Sequence, residues 1–133
     1  MNGRNRLRRT TLVLALLVLA AILTGVAASA ATTAIPKQLT GGWVRNAAPA
    51  VSMVVSPRGR VEIYEIAVDH AKLSRVTAHR LRISGIRSCS GTGTYRWTMT
   101  KDFGGDGLNF KKIHDPCKMR VGLLTGGHWG RVN

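Results

Sequence analysis

Short runs of alternating apolar and polar residues are the main pattern along this chain. The clearest run spans 94–100, where Tyr95, Trp97 and Met99 share one face and threonine and arginine residues occupy the other. A period of two is the pattern of a half-buried β-strand. Because glycine, proline, asparagine and aspartate separate such runs, the pattern predicts an antiparallel sandwich or barrel of short strands.

Two hairpins are predicted. The run at 51–56 meets a proline-arginine-glycine turn at 57–59 and continues as a second strand at 60–68. Farther along, a glycine-rich turn joins the strand at 94–100 to a return strand at 108–113. These two hairpins account for about half of the expected strands.

Three shorter runs, 42–45, 76–83 and 128–132, predict further strands. Two other segments leave alternatives open. Residues 69–74 fit a helical turn or a hairpin loop, and 115–125 fit a short helix or an irregular crossing segment.

The apolar residues of the strand predicted at 60–68 switch from one face of the strand to the other along its length. Its two apolar pairs, which lie on opposite faces of a regular strand, are Val61 with Ile63 and Ile66 with Val68. A bulge near Tyr64 and Glu65 would turn both pairs inward, as closed barrels often require.

The first thirty residues differ from the rest of the chain. Four arginines within the first nine residues precede an apolar stretch at 12–23 and a small-residue segment at 28–30. This order predicts a helical secretory signal peptide that is cleaved after Ala30. The alternative is a retained membrane anchor, because no charged residue lies between Arg9 and Lys37.

The chain is strongly basic, with 20 Lys and Arg against 6 Asp and Glu and a formal net charge of +14. Removal of residues 1–30 takes away four arginines and no acid, so the remaining domain keeps a charge of +10. Such a charge attracts anionic envelope polymers, lipids or a partner protein. Export makes specific binding to nucleic acid an unexpected use of it. The cations expected on this surface include Arg80, Arg82, Arg87, Lys101, Lys111, Lys112 and Lys118.

Two cysteines, Cys89 and Cys117, are present. An exported chain meets an oxidising compartment, so we predict that they form a disulfide. Metal ligation would need partners at tight spacing, and only His114 lies close in sequence to a cysteine. We therefore expect neither a metal nor a cofactor.

Several motifs resemble those of lipocalin-like, calycin-type small secreted bacterial proteins. In chain order they are G-x-W at 41–43, G-T-Y-x-W at 93–97, L-x-F at 108–110, D-P-C-x-x-R at 115–120 and a final Trp129. The resemblance implies a mostly β chain that forms a small antiparallel up-and-down β-barrel of about eight short strands. It also implies the domain order: a signal peptide at 1–30, a flexible lead-in at 31–38 and the barrel at 39–133.

In that family an early tryptophan packs at the closed end of the barrel beneath an arginine from near the C-terminus. Trp43 matches this tryptophan, and either Arg120 or Arg131 matches the arginine. The resemblance therefore implies a structural stacking pair, for which we take Trp43 and Arg120.

An aromatic and bulky stripe, made of Tyr95, Trp97, Met99 and Phe110, lies on the predicted inner face. In a barrel it lines a pocket for an apolar ligand or simply fills the core. We predict a secreted binding module for a small apolar or amphipathic molecule, with these four residues as ligand contacts. The alternative is a basic surface-interaction protein.

Catalysis is not predicted. The chain has no G-x-S-x-G nucleophile elbow, and its acids and histidines are scattered. A small hydrolase is therefore the least favoured function.

Overall fold

The computed structural model describes residues 34–86, 89–102 and 104–132. The predicted signal peptide at 1–30 lies outside the described residues, as does the start of the predicted lead-in. Eight strands and one helix follow in this order: β1 (Gly41–Asn46), β2 (Ser52–Val55), β3 (Arg60–Tyr64), β4 (Val68–Ser74), β5 (Arg80–Gly85), β6 (Thr92–Asp102), β7 (Gly105–His114), α1 (Lys118–Thr125) and β8 (His128–Val132).

These strands form a closed antiparallel barrel. Each strand pairs with the next one in sequence, and β8 closes the sheet by pairing with β1, where Trp43 lies opposite Arg131. The prediction of a small up-and-down barrel with about eight short strands is confirmed. Closure leaves no sheet edge open, which suits a small all-β domain.

The alternation of side chains decides what lies inside. Val61 and Ile63 on β3 are buried, Glu62 between them is half-buried, and Arg60 and Tyr64 on either side are exposed. The same alternation on β2, β4 and β5 fills the interior with apolar side chains. The bulkiest fully buried apolar residues are Trp43, Trp129, Tyr95, Leu39 and Met53. Ile35, in the segment predicted as lead-in, also packs against this core.

The bulge predicted near Tyr64 and Glu65 is wrong. β3 ends at Tyr64, which lies directly opposite Val68 on β4, so the intervening residues form a tight hairpin turn. Ile66 stands at its tip with 95% of its surface exposed, and Val68 is also exposed. The apolar residues change face because the chain turns into a hairpin after Tyr64, and not because a strand contains a bulge.

The second strand of this hairpin was missed. Residues 69–74 belong to β4, not to a helical turn or a loop, and Ala71 and Leu73 are their buried positions. Alanine is a weak apolar marker, so the alternation was hard to read from sequence. The segment 115–125 does contain a short helix, α1.

The barrel has two closed ends. The helix end carries α1 and the hairpin tip at Ile66, and the opposite end carries the turn at 36–39. Arg45, buried near the helix end, donates hydrogen bonds to the carbonyls of Gly122 and Leu123 and so satisfies the last turn of α1. None of the helices in the described part of the chain is long and apolar enough to cross a membrane.

Candidate anion-binding face

The four predicted ligand residues lie together but are mostly committed to packing. Tyr95 is fully buried, and Trp97 is 4% exposed with its indole N–H donated to the carbonyl of Thr77 at 3.0 Å. Phe110 lies opposite Trp97 on β7 and packs edge-to-face against Trp129, with 6.5 Å between the ring centroids. Met99 and Phe110 are the partly exposed members of this stripe.

A depression of about 380 Å³ opens at the outer end of the stripe. Trp97 and Met99 line it together with Gln38 and His79. Two of the four predicted residues therefore reach a cavity at the surface, and Tyr95 and Phe110 are not among its lining residues.

The stacking pair involves Arg131 and not Arg120. The guanidinium carbon of Arg131 lies 4.3 Å from the ring centroid of Trp43, and its nitrogens donate to the carbonyls of Thr40 and Gln38 at 2.9 and 2.6 Å. The pairing of Trp43 with Arg120 is wrong because β1 and β8 are neighbours, whereas Arg120 lies on α1 with a different partner. The result is a cation–π contact that closes the opposite end of the barrel.

Arg120 belongs to a buried polar cluster that we call the Asp115 cluster, formed by Tyr95, Asp115 and Arg120. Arg120 donates to both carboxylate oxygens of Asp115, from Nε at 2.6 Å and from Nη2 at 2.7 Å. Its Nη1 donates to the carbonyls of Gly85 and Gly91. The Tyr95 hydroxyl donates to the same carboxylate, whose second oxygen also accepts the Cys117 amide. These bonds satisfy a charge pair with no exposed side-chain surface.

The electrostatics of the Asp115 cluster follow from these bonds. Burial alone would raise the pKa of Asp115, but hydrogen bonds from Arg120, Tyr95 and the Cys117 amide outweigh it and lower the pKa to about 2. Burial and the bond to Asp115 raise the pKa of Tyr95. The cluster therefore holds a fixed ion pair beside a neutral phenol.

The disulfide predicted between Cys89 and Cys117 is confirmed, with the two Cα atoms 5.7 Å apart. It ties the loop after β5 to the residue that precedes α1, beside Asp115. Gly93 is required here, because a Cβ at this position would overlap the Asp115 carboxylate. A disulfide is consistent with an extracytoplasmic protein.

The outer surface of β3 to β7 collects exposed cations, and we call it the basic face. Register places Arg60 directly opposite Lys72, and it places Arg80, Arg96 and Lys111 side by side on β5, β6 and β7. All five are exposed, and neighbouring strands are about 4.8 Å apart. Half-buried Arg82 lies between the two rows. Like charges thus face each other across three strand pairs.

No acidic side chain among the described residues interrupts these rows. Asp115 is buried, and Asp106 pairs with Lys101 at 3.2 Å and with Arg131 at 3.6 Å. Glu62 lies on β3 one position beyond Arg60 on the outer face, and its carboxylate accepts a hydrogen bond from Tyr64 at 2.7 Å. Cations therefore outnumber acids on the basic face, and the rows themselves contain no acid.

A groove of about 670 Å³ runs along the edge of the basic face where β3, β4 and β5 meet. Arg58, Arg60, His70, Lys72 and Ser84 provide its polar side chains. Ala71 and Gly85 also line it. We refer to it below as the groove.

The predicted surface cations divide between this face and other places. Arg80, Arg82 and Lys111 lie on the basic face, and Lys112 is exposed next to Lys111. Lys101 is paired with Asp106, and Lys118 lies on α1. Arg87 lies outside the described residues.

Sequence reasoning missed the groove. Its residues Arg58, Arg60 and Lys72 are separated by a turn and a hairpin, and only the register of β3 with β4 brings Arg60 and Lys72 together. Reading 69–74 as a strand would have exposed this pairing. The described residues also include no group of three or more His, Cys, Asp or Glu placed to hold a metal ion.

Comparisons with family models, with curated proteins and with solved structures return no match for this chain.

Proposed function

We propose that this chain is a secreted, non-catalytic binding module of lipocalin-like shape whose basic face binds anionic polymers of the cell envelope. The observation that carries the proposal is the direct cross-strand pairing of like charges: Arg60 with Lys72, and Arg96 with both Arg80 and Lys111. Like charges directly opposite each other destabilise a sheet. A bound polyanion removes that repulsion and releases its own counterions, which favours association.

The proposal is tested with linear polyphosphate as the probe. Calorimetry on the full secreted chain at low salt compares wild type with Arg80→Gln/Arg96→Gln. Each cation near an anionic surface contributes about 1 kcal/mol, so the double variant should bind about 30-fold more weakly. The slope of log affinity against log salt should also fall by about one for each cation removed.

The matched control is Lys37→Gln/Lys118→Gln, which removes the same charge from exposed positions at the two ends of the barrel. It should bind polyphosphate with an affinity close to that of wild type. Equal losses in the two double variants would show that net charge, and not the arrangement on the basic face, governs binding, and the proposal would fail.

A second candidate function is supported by the depression at Trp97 and Met99. Its volume lies within the range of small-ligand pockets, and its apolar lining suits an alkyl chain. Titration with decanol, a probe without charge, should shift the Met99 methyl resonance in wild type. Met99→Gln should reduce the decanol-induced shift of the Trp97 indole N–H, which lines the same depression, and leave polyphosphate binding intact. An unmoved Met99 methyl at saturating decanol rules this candidate out.

A further inference from the structure

The floor of the groove is built from closely packed backbone. Gly85 has a φ of +83°, and a Cβ there would lie 2.7 Å from the carbonyl oxygen of His70. The amide of Ile86 donates to the same carbonyl at 3.2 Å. Because glycine alone combines this conformation with so close an approach, β5 curls against β4 at a defined position. The groove is therefore a built feature of the sheet.

The charge of the groove comes from Arg58, Arg60 and Lys72. Within the described residues, none of these three side chains takes part in a hydrogen bond or an ion pair. The hydroxyl of Ser84 lies directly across from Lys72 in the sheet register, and His70 lies one outward position along β4. Donors from three strands and one turn therefore border one space.

These donors define a ligand class. A guanidinium binds a tetrahedral oxyanion through two parallel hydrogen bonds, and an ammonium adds a point charge. Two guanidinium groups and one ammonium border a space of about 670 Å³, which has room for more than one phosphate group. We infer that the groove is a specific site for two adjacent phosphate groups, such as a diphosphate or a neighbouring pair in an anionic polymer.

This inference rests on the proposed function and adds the site at which a polymer is anchored. The row of Arg80, Arg96 and Lys111 attracts an extended chain of charges, whereas the groove selects closely spaced ones. Both parts lie on the same outer surface, so one polymer can occupy them together.

The test uses sodium pyrophosphate and orthophosphate as probes with the full chain. Backbone amide resonances of Ser84 and Gly85 report on the groove directly. We expect pyrophosphate to shift them and to bind at least about tenfold more tightly than orthophosphate, since it engages both guanidinium groups. Arg60→Gln/Lys72→Gln should weaken pyrophosphate binding at least about 30-fold. The control Lys37→Gln/Lys118→Gln should bind it like wild type.

The outcomes separate this inference from the proposed function. If polyphosphate binds but pyrophosphate leaves Ser84 and Gly85 unshifted, the groove site is wrong and the basic face stands. If neither polyphosphate nor pyrophosphate binds, the proposed function is wrong, and so is the groove site that rests on it. Both groove substitutions are at exposed positions, and a dispersed amide spectrum of the variant shows that any loss of binding is not a loss of folding.

Discussion

The helix end of the barrel and the basic face hold their arginines in opposite ways. Arg120 is fully buried, and its guanidinium donates to both oxygens of Asp115 and to two backbone carbonyls. Arg96 is exposed and stands between Arg80 and Lys111, with no acid in its row. The same residue type therefore serves the fold in one place and is available to a ligand in the other.

Burial explains the difference. A buried cation that lacks a partner is costly, so the Asp115 cluster supplies hydrogen bonds from side chains and backbone. An exposed cation stays hydrated, and its repulsion from neighbours costs little. Removing charge should accordingly damage the Asp115 cluster and slightly relieve the basic face.

The largest expected effect is the loss of Arg120. Arg120→Ala leaves the Asp115 carboxylate buried without its cation, and the free energy of unfolding should fall by about 3–5 kcal/mol. Urea unfolding followed by fluorescence measures this, because Trp43, Trp97 and Trp129 are all buried. Arg96→Ala removes the same charge from the basic face and should change stability by less than about 0.5 kcal/mol. Similar losses in the two variants would break the comparison.

The disulfide should contribute nearly as much to the free energy of unfolding as Arg120 does. Cys89 and Cys117 are 28 positions apart in sequence. In the chain-entropy model, closing a loop of this length stabilises the folded state by about 3.6 kcal/mol. Cys89→Ser/Cys117→Ser should lose a free energy of unfolding of that order in the same urea assay. Polyphosphate affinity measured well below the unfolding temperature should stay unchanged, since the bond lies at the helix end. A variant as stable as wild type contradicts this expectation.

Acid should weaken the Asp115 cluster selectively. The folded-state pKa of Asp115, about 2, lies below its unfolded value, so its contribution is present above about pH 4 and is lost as the pH falls toward 2. We expect wild type to lose about 2 kcal/mol more than Asp115→Asn between pH 6 and pH 2. Unfolding curves at several pH values give both losses, and parallel pH profiles would refute the assignment.

The smallest expected change in stability is an increase in the free energy of unfolding, not a decrease. Arg80→Gln/Arg96→Gln removes two like-charge contacts and should raise the free energy of unfolding by about 0.2–1 kcal/mol at low salt. High salt should abolish the gain by screening the repulsion in wild type. Lys37→Gln/Lys118→Gln, which relieves no cross-strand pair, should show no comparable gain. A salt-independent increase would mean that repulsion on the basic face is not its cause.

Part of this architecture could be read from local patterns. The alternation at 94–100 and the turn residues at 57–59 identify strands and a hairpin, because a strand's inner face and a turn's conformation depend on residues close in sequence. Composition likewise identifies a basic chain with one pair of cysteines, and the structure pairs Cys89 with Cys117. These properties need no knowledge of distant neighbours.

Only the tertiary structure decides which side chains become neighbours of one another. Whether Trp43 stacks on Arg120 or Arg131 depends on which strand closes the barrel, and the pairing of β1 with β8 selects Arg131. The row of Arg80, Arg96 and Lys111 exists only because three strands align in one register. Sequence by itself determined most of the strands, the disulfide pair and the excess of positive charge, but not β4. The position of that charge, and the burial of Asp115 with Arg120, came from long-range register, which local periodicity does not encode.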